Sequence, residues 1–353
     1  MLKRNISEEI RRFLEEKIKN VPPGEIFTTE VEIATSLGLS RPTVRKHTKL
    51  FYEEGFIECI AGKGIAAGNG GQSPKKRTIK NYLILVSFTG RNDDYFADVI
   101  RGITDVLNEY GDNYRICMNV KYAERLEFIK SLDISNFDGI FISLYEDEAS
   151  YEIVNYLEEN GLDIILVDNQ LSSYNLNCVK NDDVDSGYSL GKYIGENNLN
   201  PIFLLSGKRE ASTNVVHGDC QGDKSIIERA QGVQYGLKAF NKKIPDNHFF
   251  RSNDFENILD ALNECDTIIF HTTTSVLGFL NFLKEAKPEL FEKINVCVFG
   301  DSVISDFIDG IFVVHDGYTL GCRAARLSDK IVDGITVTES VKSRLVAVKN
   351  KIF

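Results

Sequence analysis

No part of this 353-residue chain comes near the about 18 uninterrupted apolar residues that a membrane-crossing helix needs. The opening MLKRNISEEIRRFLEEKIKN is charged and amphipathic and lacks the apolar central region of a secretion signal, so a cytoplasmic location is expected. Cysteine is sparse and never paired as CxxC. The 7 residues (Cys59, Cys117, Cys178, Cys220, Cys265, Cys297 and Cys322) are dispersed and odd in number. That pattern predicts reduced thiols, mostly small core residues, and no zinc site; Cys220, in a polar glycine-bearing stretch, is the one expected at the surface. Nucleotide-binding glycines are missing too. "FTGRNDDYF" after the first strand-like run has a single glycine, which removes the pyrophosphate cradle of a dinucleotide fold, and no GxxxxGK[ST] occurs. GxSxG and HExxH are also absent, and the 5 histidines are scattered. No catalytic residue, cofactor or metal is expected.

What is present is ordinary globular composition, 42% hydrophobic and 26% charged, at a length that predicts two or three domains. The net charge of −11 hides an asymmetry: residues 1–80 carry +5 and the remainder −16. A basic head on an acidic body suits a chain in which only the head meets a polyanion.

The head reads as helices and a hairpin. Ile6, Ile10, Phe13, Leu14 and Ile18 recur at helical spacing until "VPPGE" stops them. A short helix over 29–37, capped by Thr28 or Thr29, ends at Gly38. Then "SRPTVRKHTKLFYEEGFI" places Ser40 as N-cap and Pro42 in the first turn. Val44, Thr48 and Phe51, with Leu50 beside them, form a buried side, and Arg41, Arg45 and Lys49 recur every fourth residue on another. "FIECIAGKGIAAG" is a hairpin with Lys63 at its tip. The order is that of a winged helix-turn-helix, which presents its second motif helix to a major groove. A solvated basic face is the plain alternative. Over residues 5–67 the chain resembles the DNA-binding domain of the gluconate-repressor (GntR) family, with its PG turn, "SRxTVR" and "GxGxx" wing. Val31 departs from it, standing where that family often has a DNA-contacting arginine. The resemblance and the charge pattern imply DNA contacts from Ser40, Arg41, Thr43, Arg45, Lys46, His47, Lys49 and Lys63. Arg is suited to guanine edges, Lys49 and Lys63 to phosphate.

Residues 68–80, "GNGGQSPKKRTIK", have linker composition; Lys75, Lys76 and Arg77 attract phosphate or merely keep the linker solvated. Beyond them the period changes. "YLILVSF", "YRICMNV", "GIFISL", "DIILVD", "PIFLLS", "DTIIFHT" and "NVCVFGD" are short apolar runs suited to strands buried on both faces of a parallel sheet. Amphipathic stretches at 95–109, 148–160, 225–240, 274–285 and 318–333 separate them, which predicts a doubly wound α/β body in two lobes over 81–353. Ligands of such sheets bind at the carboxyl ends of the strands. The polar loops there hold Asp93, Asp94, Tyr95, Phe96, Ser143, Asp168, Asn169, Arg229, Thr272, Thr273 and His315. Aromatic rings accept a sugar's apolar face, and aspartate and arginine pair with vicinal hydroxyls.

From about 82 to 353 the chain resembles the effector domain of the lactose-repressor (LacI) family, itself like a periplasmic sugar-binding protein. "LVSFTGRNDDYFADVIRGITDVLNEYG" is similar to its first strand, loop and helix. "SIIERAQGV", from Ser225, carries its "RxxG", with Arg229 as the ligand-binding arginine. Ser143 and Asp168 fall at polar strand-end positions. Thr272 and Thr273 replace an Asn-Asp pair, Gly300 replaces an aspartate while Asp301 is kept, and His315 stands where glutamine is frequent. Segment 207–224 reads as a flap or an insertion. Plain readings stand beside these: Asp93 and Asp94 as helix caps, Arg229 in an ordinary ion pair, Tyr95 and Phe96 as core. Together the two resemblances imply a hybrid regulator like those of arabinose and related sugars. That is a homodimer on a palindromic double-stranded DNA operator, repressing until a pentose or 6-deoxyhexose such as arabinose or fucose binds. A non-sugar metabolite, a sugar enzyme or kinase with a DNA-binding appendage, and a ligand-free dimerisation module are the competing readings.

Overall fold

The computed structural model describes residues 6–19, 21–22, 24–53, 56–60, 63–68, 79–86, 94–118, 120–205, 224–251, 253–300, 303–331 and 336–349. The chain divides into two units, Met1–Thr78 and Ile79–Phe353.

In the first unit, α1 (Ile6–Ile18), β1 (Ile26–Thr28), α2 (Glu30–Leu37), α3 (Arg41–Glu53), β2 (Ile57–Ile60) and β3 (Gly64–Ala67) follow one another. The strands form an antiparallel sheet in the order β1-β3-β2. Ile10, Leu14, Ile33, Val44, Phe51 and Ile57 are buried in its core. Thr29 caps α2 by accepting from the Glu32 N–H, and Gly38, left-handed at φ 64°, returns its N–H to the Ala34 carbonyl. That conformation is open to glycine at no steric cost. The turn fixes where α3 begins.

The second unit contains β4 (Asn81–Leu85), α4 (Asp94–Tyr110), β5 (Asn113–Ile116), α5 (Arg125–Lys130), β6 (Gly139–Ile142), α6 (Glu148–Glu159), β7 (Asp163–Asp168) and β8 (Asn177–Asn181). There follow α7 (Asp183–Glu196), β9 (Pro201–Leu205), α8 (Lys224–Lys238), β10 (Phe249–Arg251), α9 (Phe255–Ala261), β11 (Thr267–Phe270), α10 (Val276–Ala286), α11 (Pro288–Phe291) and β12 (Asn295–Phe299). It closes with β13 (Gly310–Val314), α12 (Gly317–Ser328), β14 (Thr338–Val341) and β15 (Arg344–Val348). One sheet has the order β14-β8-β7-β6-β4-β5, and the other β10-β9-β11-β12-β13-β15. Every pairing is parallel except that of β13 with β15.

The apolar runs are continuous because both faces of each central strand are covered. In the first lobe Tyr82, Ile84, Phe141, Ile165 and Val167 meet α4 and α12. The alternate residues Leu83, Leu85, Ile140, Ile142, Ile164 and Leu166 meet the α5 and α6 side. The second lobe repeats the scheme: Phe203, Ile269, Cys297 and Val313 face α7 and α8, while Ile202, Ile268, Val298 and Phe312 face α9 and α10. Each such side chain contributes about 1.5–3 kcal/mol by leaving water. The helices α7 and α8 approach backbone to backbone, and a Cβ at Gly191 would collide with the Val233 carbonyl.

Three expectations need correction. The run 114–120 ends as a strand at Ile116, and Ile116 and Met118 are exposed. β5 is an edge strand bonded to β4 alone, so it is not buried on both faces. The stretch 318–333 is helical only to Ser328, and 225–240 runs from Lys224 to Lys238. Cys59 is exposed, whereas Cys117, Cys178, Cys297 and Cys322 are buried; Cys220 and most of segment 207–224 lie outside the described residues.

The chain passes between the two lobes three times. Asn181–Asp183 joins β8 to α7, Val314–Gly317 joins β13 to α12, and Val341–Arg344 joins β14 to β15. These crossovers lie at the carboxyl ends of β8, β13 and β14.

Candidate functional site

In the first unit, α3 is two-faced. Val44, Thr48 and Phe51 are buried, while Arg41, Arg45, Lys46 and Lys49 are exposed and His47 is half-buried. Ser40 acts as the N-cap: its Oγ accepts from the Thr43 N–H at 3.3 Å and lies 2.7 Å from Thr43 Oγ1. Lys63 is exposed in the turn between β2 and β3. Sequence reasoning missed Glu30. Arg45 donates to it through Nε at 3.0 Å and Nη2 at 2.7 Å, and Arg41 Nη2 lies 4.0 Å from the same carboxylate. The Arg45 hydrogen bonds hold the Glu30 carboxyl below its ordinary range against the opposing effect of burial. The fork fixes the direction of Arg45 across the gap between α2 and α3. No local pattern signals a contact fifteen residues apart in sequence.

In the second unit, the crossover region gathers the predicted effector residues. Tyr95 and Phe96, in the first turn of α4, meet edge-on with ring centroids 5.0 Å apart. The Tyr95 hydroxyl donates to Asp168 Oδ1 at 2.7 Å. Asn181 Nδ2 donates to the Tyr95 oxygen at 2.7 Å and to Asp168 at 3.1 Å. Burial first, then the Asp168 charge, pushes the Tyr95 hydroxyl well above its ordinary pKa, so it stays a donor. Asp168 itself, the last residue of β7, has φ 77°. This left-handed backbone is unusual for a residue other than glycine and is characteristic of functional turns.

His315 lies on the second crossover. Its ring meets that of Tyr95 at 6.0 Å, its Nδ1 is 2.7 Å from Ser343 Oγ, and its Nε2 is buried without a partner. Burial and then the nearby Arg229 charge hold its pKa well below the ordinary value, so the imidazole is neutral. Arg229 reaches out of α8, donating from Nε to Asp183 Oδ1 at 2.7 Å and from Nη1 to the His271 carbonyl at 2.8 Å. Its guanidinium carbon is 5.4 Å from the Phe299 ring centroid. The ion pair is therefore with α7, not with a neighbour on its own helix. Lys180 and Glu228 form a second pair at 2.8 Å between β8 and α8.

Tyr95, Phe96, Asp168, Arg229 and His315 are thus brought together, with Asn181, Asp183 and Ser343, which sequence reasoning did not single out. Ser143 is fully buried at the end of β6; its carbonyl accepts from Arg125, and its hydroxyl has no partner. Ser225 is buried in the first turn of α8. Thr272 precedes a single turn of 3-10 helix, Thr273–Ser275. Gly300 sits against it at φ 95°, where a Cβ would lie 3.3 Å from Thr273 Cγ2. Asp93 and Asp301 lie outside the described residues, as does the side chain of Asp94. A cavity of about 650 Å³ lies elsewhere, at the amino-terminal ends of β12 and β13, lined by Leu280, Phe291, Val296, Phe307 and Val348. None of the predicted site residues lines it.

Chemically, the cluster offers two ring faces, a carboxylate, a forked cation, and two buried polar atoms without partners, His315 Nε2 and the acceptor Asn181 Oδ1. Buried polar atoms without partners cost about 1–3 kcal/mol each until a hydrogen-bonding partner arrives. The arrangement suits a small molecule rich in hydroxyls. Among the described residues no group of His, Cys, Asp and Glu is placed to hold a metal, and no helix is long and apolar enough to cross a membrane.

The fold defined by the second unit is the two-lobed α/β fold of periplasmic-binding-protein type. It is similar to that of GanP, a glucose-galactose binding protein from Geobacillus stearothermophilus, with a TM-score of 0.61 at 14% identity, covering 77% of this chain and 98% of that one. In sequence, the chain is similar to an arabinose metabolism transcriptional repressor of Geobacillus stearothermophilus, 27% identical over 179 residues. That match spans 49% of this chain and about half, 48%, of the repressor. A sucrose operon repressor of Staphylococcus xylosus is 22% identical over 287 residues, 77% of this chain and 83% of that protein. No protein-family model matches the chain. The relatives are thus repressors of sugar operons.

Proposed function

We propose that the chain is a sugar-responsive transcriptional repressor, with a winged helix-turn-helix head of GntR type and an effector-binding, dimerising body. In this reading α2, the Gly38 turn and α3 form the DNA-reading motif, and the β2–β3 hairpin is the wing. Arg41 and Arg45 meet base edges while Ser40, Thr43, Lys46, His47, Lys49 and Lys63 meet the backbone or flanking positions. The body takes a pentose or 6-deoxyhexose between its lobes, contacted by Asp94, Tyr95, Phe96, Ser143, Asp168, Ser225, Arg229, Thr272, Thr273, Asp301 and His315. A twofold pair of chains places two heads on a palindromic operator.

The observation that carries this reading is the set of buried polar atoms without partners, His315 Nε2 and Asn181 Oδ1, at the crossovers between lobes. A pure dimerisation module has no use for them. That the relatives repress arabinose metabolism and a sucrose operon supports the same conclusion. For release to follow, the effector must favour the non-binding arrangement by several kcal/mol; indifferent binding changes nothing.

The test is thermal melting of the full chain against neutral monosaccharides and their phosphates. Ligand binding raises the melting temperature by mass action. A sugar that stabilises the chain and also lowers its affinity for duplex DNA is the expected result; a chain indifferent to every sugar sinks the effector half of the proposal.

A further inference from the structure

Lys180 and Glu228 belong to different lobes. Lys180 is on β8, where its register partners are Asp168 on β7 and Ser340 on β14, all in the first sheet. Glu228 is on α8, whose Ile226, Ala230, Val233 and Leu237 are buried against the second sheet. The Lys180 ammonium nevertheless donates to both Glu228 carboxylate oxygens, each at 2.8 Å. One turn earlier on the same side of α8, Lys224 Nζ donates to Ser172 Oγ at 3.1 Å. Ser172 lies between β7 and β8 in the first lobe, and its N–H donates to Glu146 Oε2 at 2.7 Å. Thus α8 touches the first lobe at two points while its buried face stays with the second. The pair is flanked by the effector cluster, since Asn181 follows Lys180 and Arg229 follows Glu228. The crossovers have a tie of their own, Ser186 Oγ to Ser343 Oγ at 2.9 Å.

Partial burial sets what the ion pair can do. Its two side chains are 16% and 15% exposed. A fully exposed pair adds almost nothing, and a fully buried one leaves charges that are very costly to part. Between these limits, water that enters as the lobes separate rehydrates both ions and offsets much of the lost attraction. Such a contact forms and breaks reversibly, and it exists only when the lobes stand as they do here.

We infer that Lys180 and Glu228 form a charge latch between the lobes, acting as positioning residues that set the effector groups without touching the effector. In the reading above, Tyr95 and Asp168 approach the effector from one lobe and Arg229 from the other, so the latched arrangement is the one that binds it. The inference rests on that reading for what the latch controls, but not for the latch itself. Apparent affinity is the intrinsic affinity scaled by the fraction of chains already latched. Weakening the pair therefore lowers effector affinity while the contacts to the effector stay in place.

The test measures the distance between lobes in the unliganded full chain by double electron–electron resonance. Nitroxides are carried by exposed positions of each lobe, Glu159→Cys on α6 and Lys238→Cys on α8. Cys59, Cys220 and Cys265 are changed to Ser, and labelled chains are diluted in unlabelled ones. Glu228→Gln and Lys180→Met should each add a longer distance, and the double variant no more than either alone, since both remove one contact. Raising salt to about 1 M, where the Debye length is about 3 Å, should lengthen the distance in the native pair and leave the double variant unmoved. Distances that neither variant nor salt alters, or variant effects that sum, overturn the inference. With L-arabinose and L-fucose as probes, Glu228→Gln should raise the half-saturating concentration for thermal stabilisation about three- to ten-fold, as suits a partly buried pair. An unchanged value overturns the inference. Should neither sugar stabilise the native chain, the sugar reading fails while the distance measurement still decides the latch.

Discussion

Replacing Arg229 with methionine keeps most of the side-chain volume and removes the guanidinium. Asp183, whose side chain is only 3% exposed, then loses the 2.7 Å ion pair, and the His271 carbonyl loses a donor. Taking one partner from a buried pair costs about 3–5 kcal/mol, because the remaining charge stays out of water. At about 2–4 °C per kcal/mol for a domain of this size, the melting temperature falls by about 6–20 °C. The chain has 0 tryptophans, so far-UV circular dichroism is the assay. Adding Asp183→Asn removes the remaining buried charge, and the double variant should recover most of the loss, since matched removal of both charges is frequently close to neutral. A single variant that costs less than about 1 kcal/mol, or a double variant as unstable as the two singles summed, refutes the buried-pair argument. The double variant also serves as the stable background in which loss of the sugar response can be assigned to Arg229 itself.

Arg45→Ala should lower operator affinity about five- to 150-fold, as a loss of about 1–3 kcal/mol implies, and Glu30→Gln, which loosens the fork that directs Arg45, should blur sequence preference more than it weakens nonspecific binding; anisotropy titrations on matched and scrambled duplexes decide both. Because His315 is held neutral in the folded state, its contribution runs opposite to that of a salt-bridged histidine. Its stability is present above the ordinary value of 6.5 and is lost as pH falls through it, where the unfolded chain takes up a proton that the folded chain refuses. The slope from this one group is at most about 1.4 kcal/mol per pH unit, and His315→Gln should flatten it in denaturation curves taken below the ordinary value of 6.5. Gly191→Ala pushes a methyl into the Val233 backbone and should cost about 1–3 kcal/mol by urea unfolding; an unchanged midpoint would mean that α7 and α8 are not as close as described.

Much of the fold was legible because its signals are local. "DIILVD" is the strand β7 to the residue, and Gly38 ends α2 as a left-handed cap should. The doubly wound pattern followed from apolar runs separated by amphipathic helices. The final strands were not legible: "TESV" and "RLVAV" carry exposed and half-buried residues, and each pairs at or near a sheet edge with a strand distant in sequence. The site shows the same division. Tyr95, Asp168 and His315 could be read from type and position after a strand, and Arg229, inside α8, from the RxxG of "SIIERAQGV". Asn181, Asp183, Ser186 and Ser343 could not, since their meaning comes from crossovers that meet only in three dimensions. Ser343 and His315 stand 28 residues apart, and Ser343 and Ser186 157. Glu30 was hidden for the same reason, as a plain helix-start carboxylate until α3 folds beside it.

The most direct test of the account is one titration: the full chain against a fluorescent duplex selected from a random pool, at several salt concentrations, with and without the stabilising sugar. The account predicts a palindromic selected sequence, affinity that falls steeply as salt rises, about 0.9 in log–log slope per phosphate contacted, and further loss of affinity when the sugar is added. Association with no duplex, or binding that neither salt nor sugar alters, would contradict it.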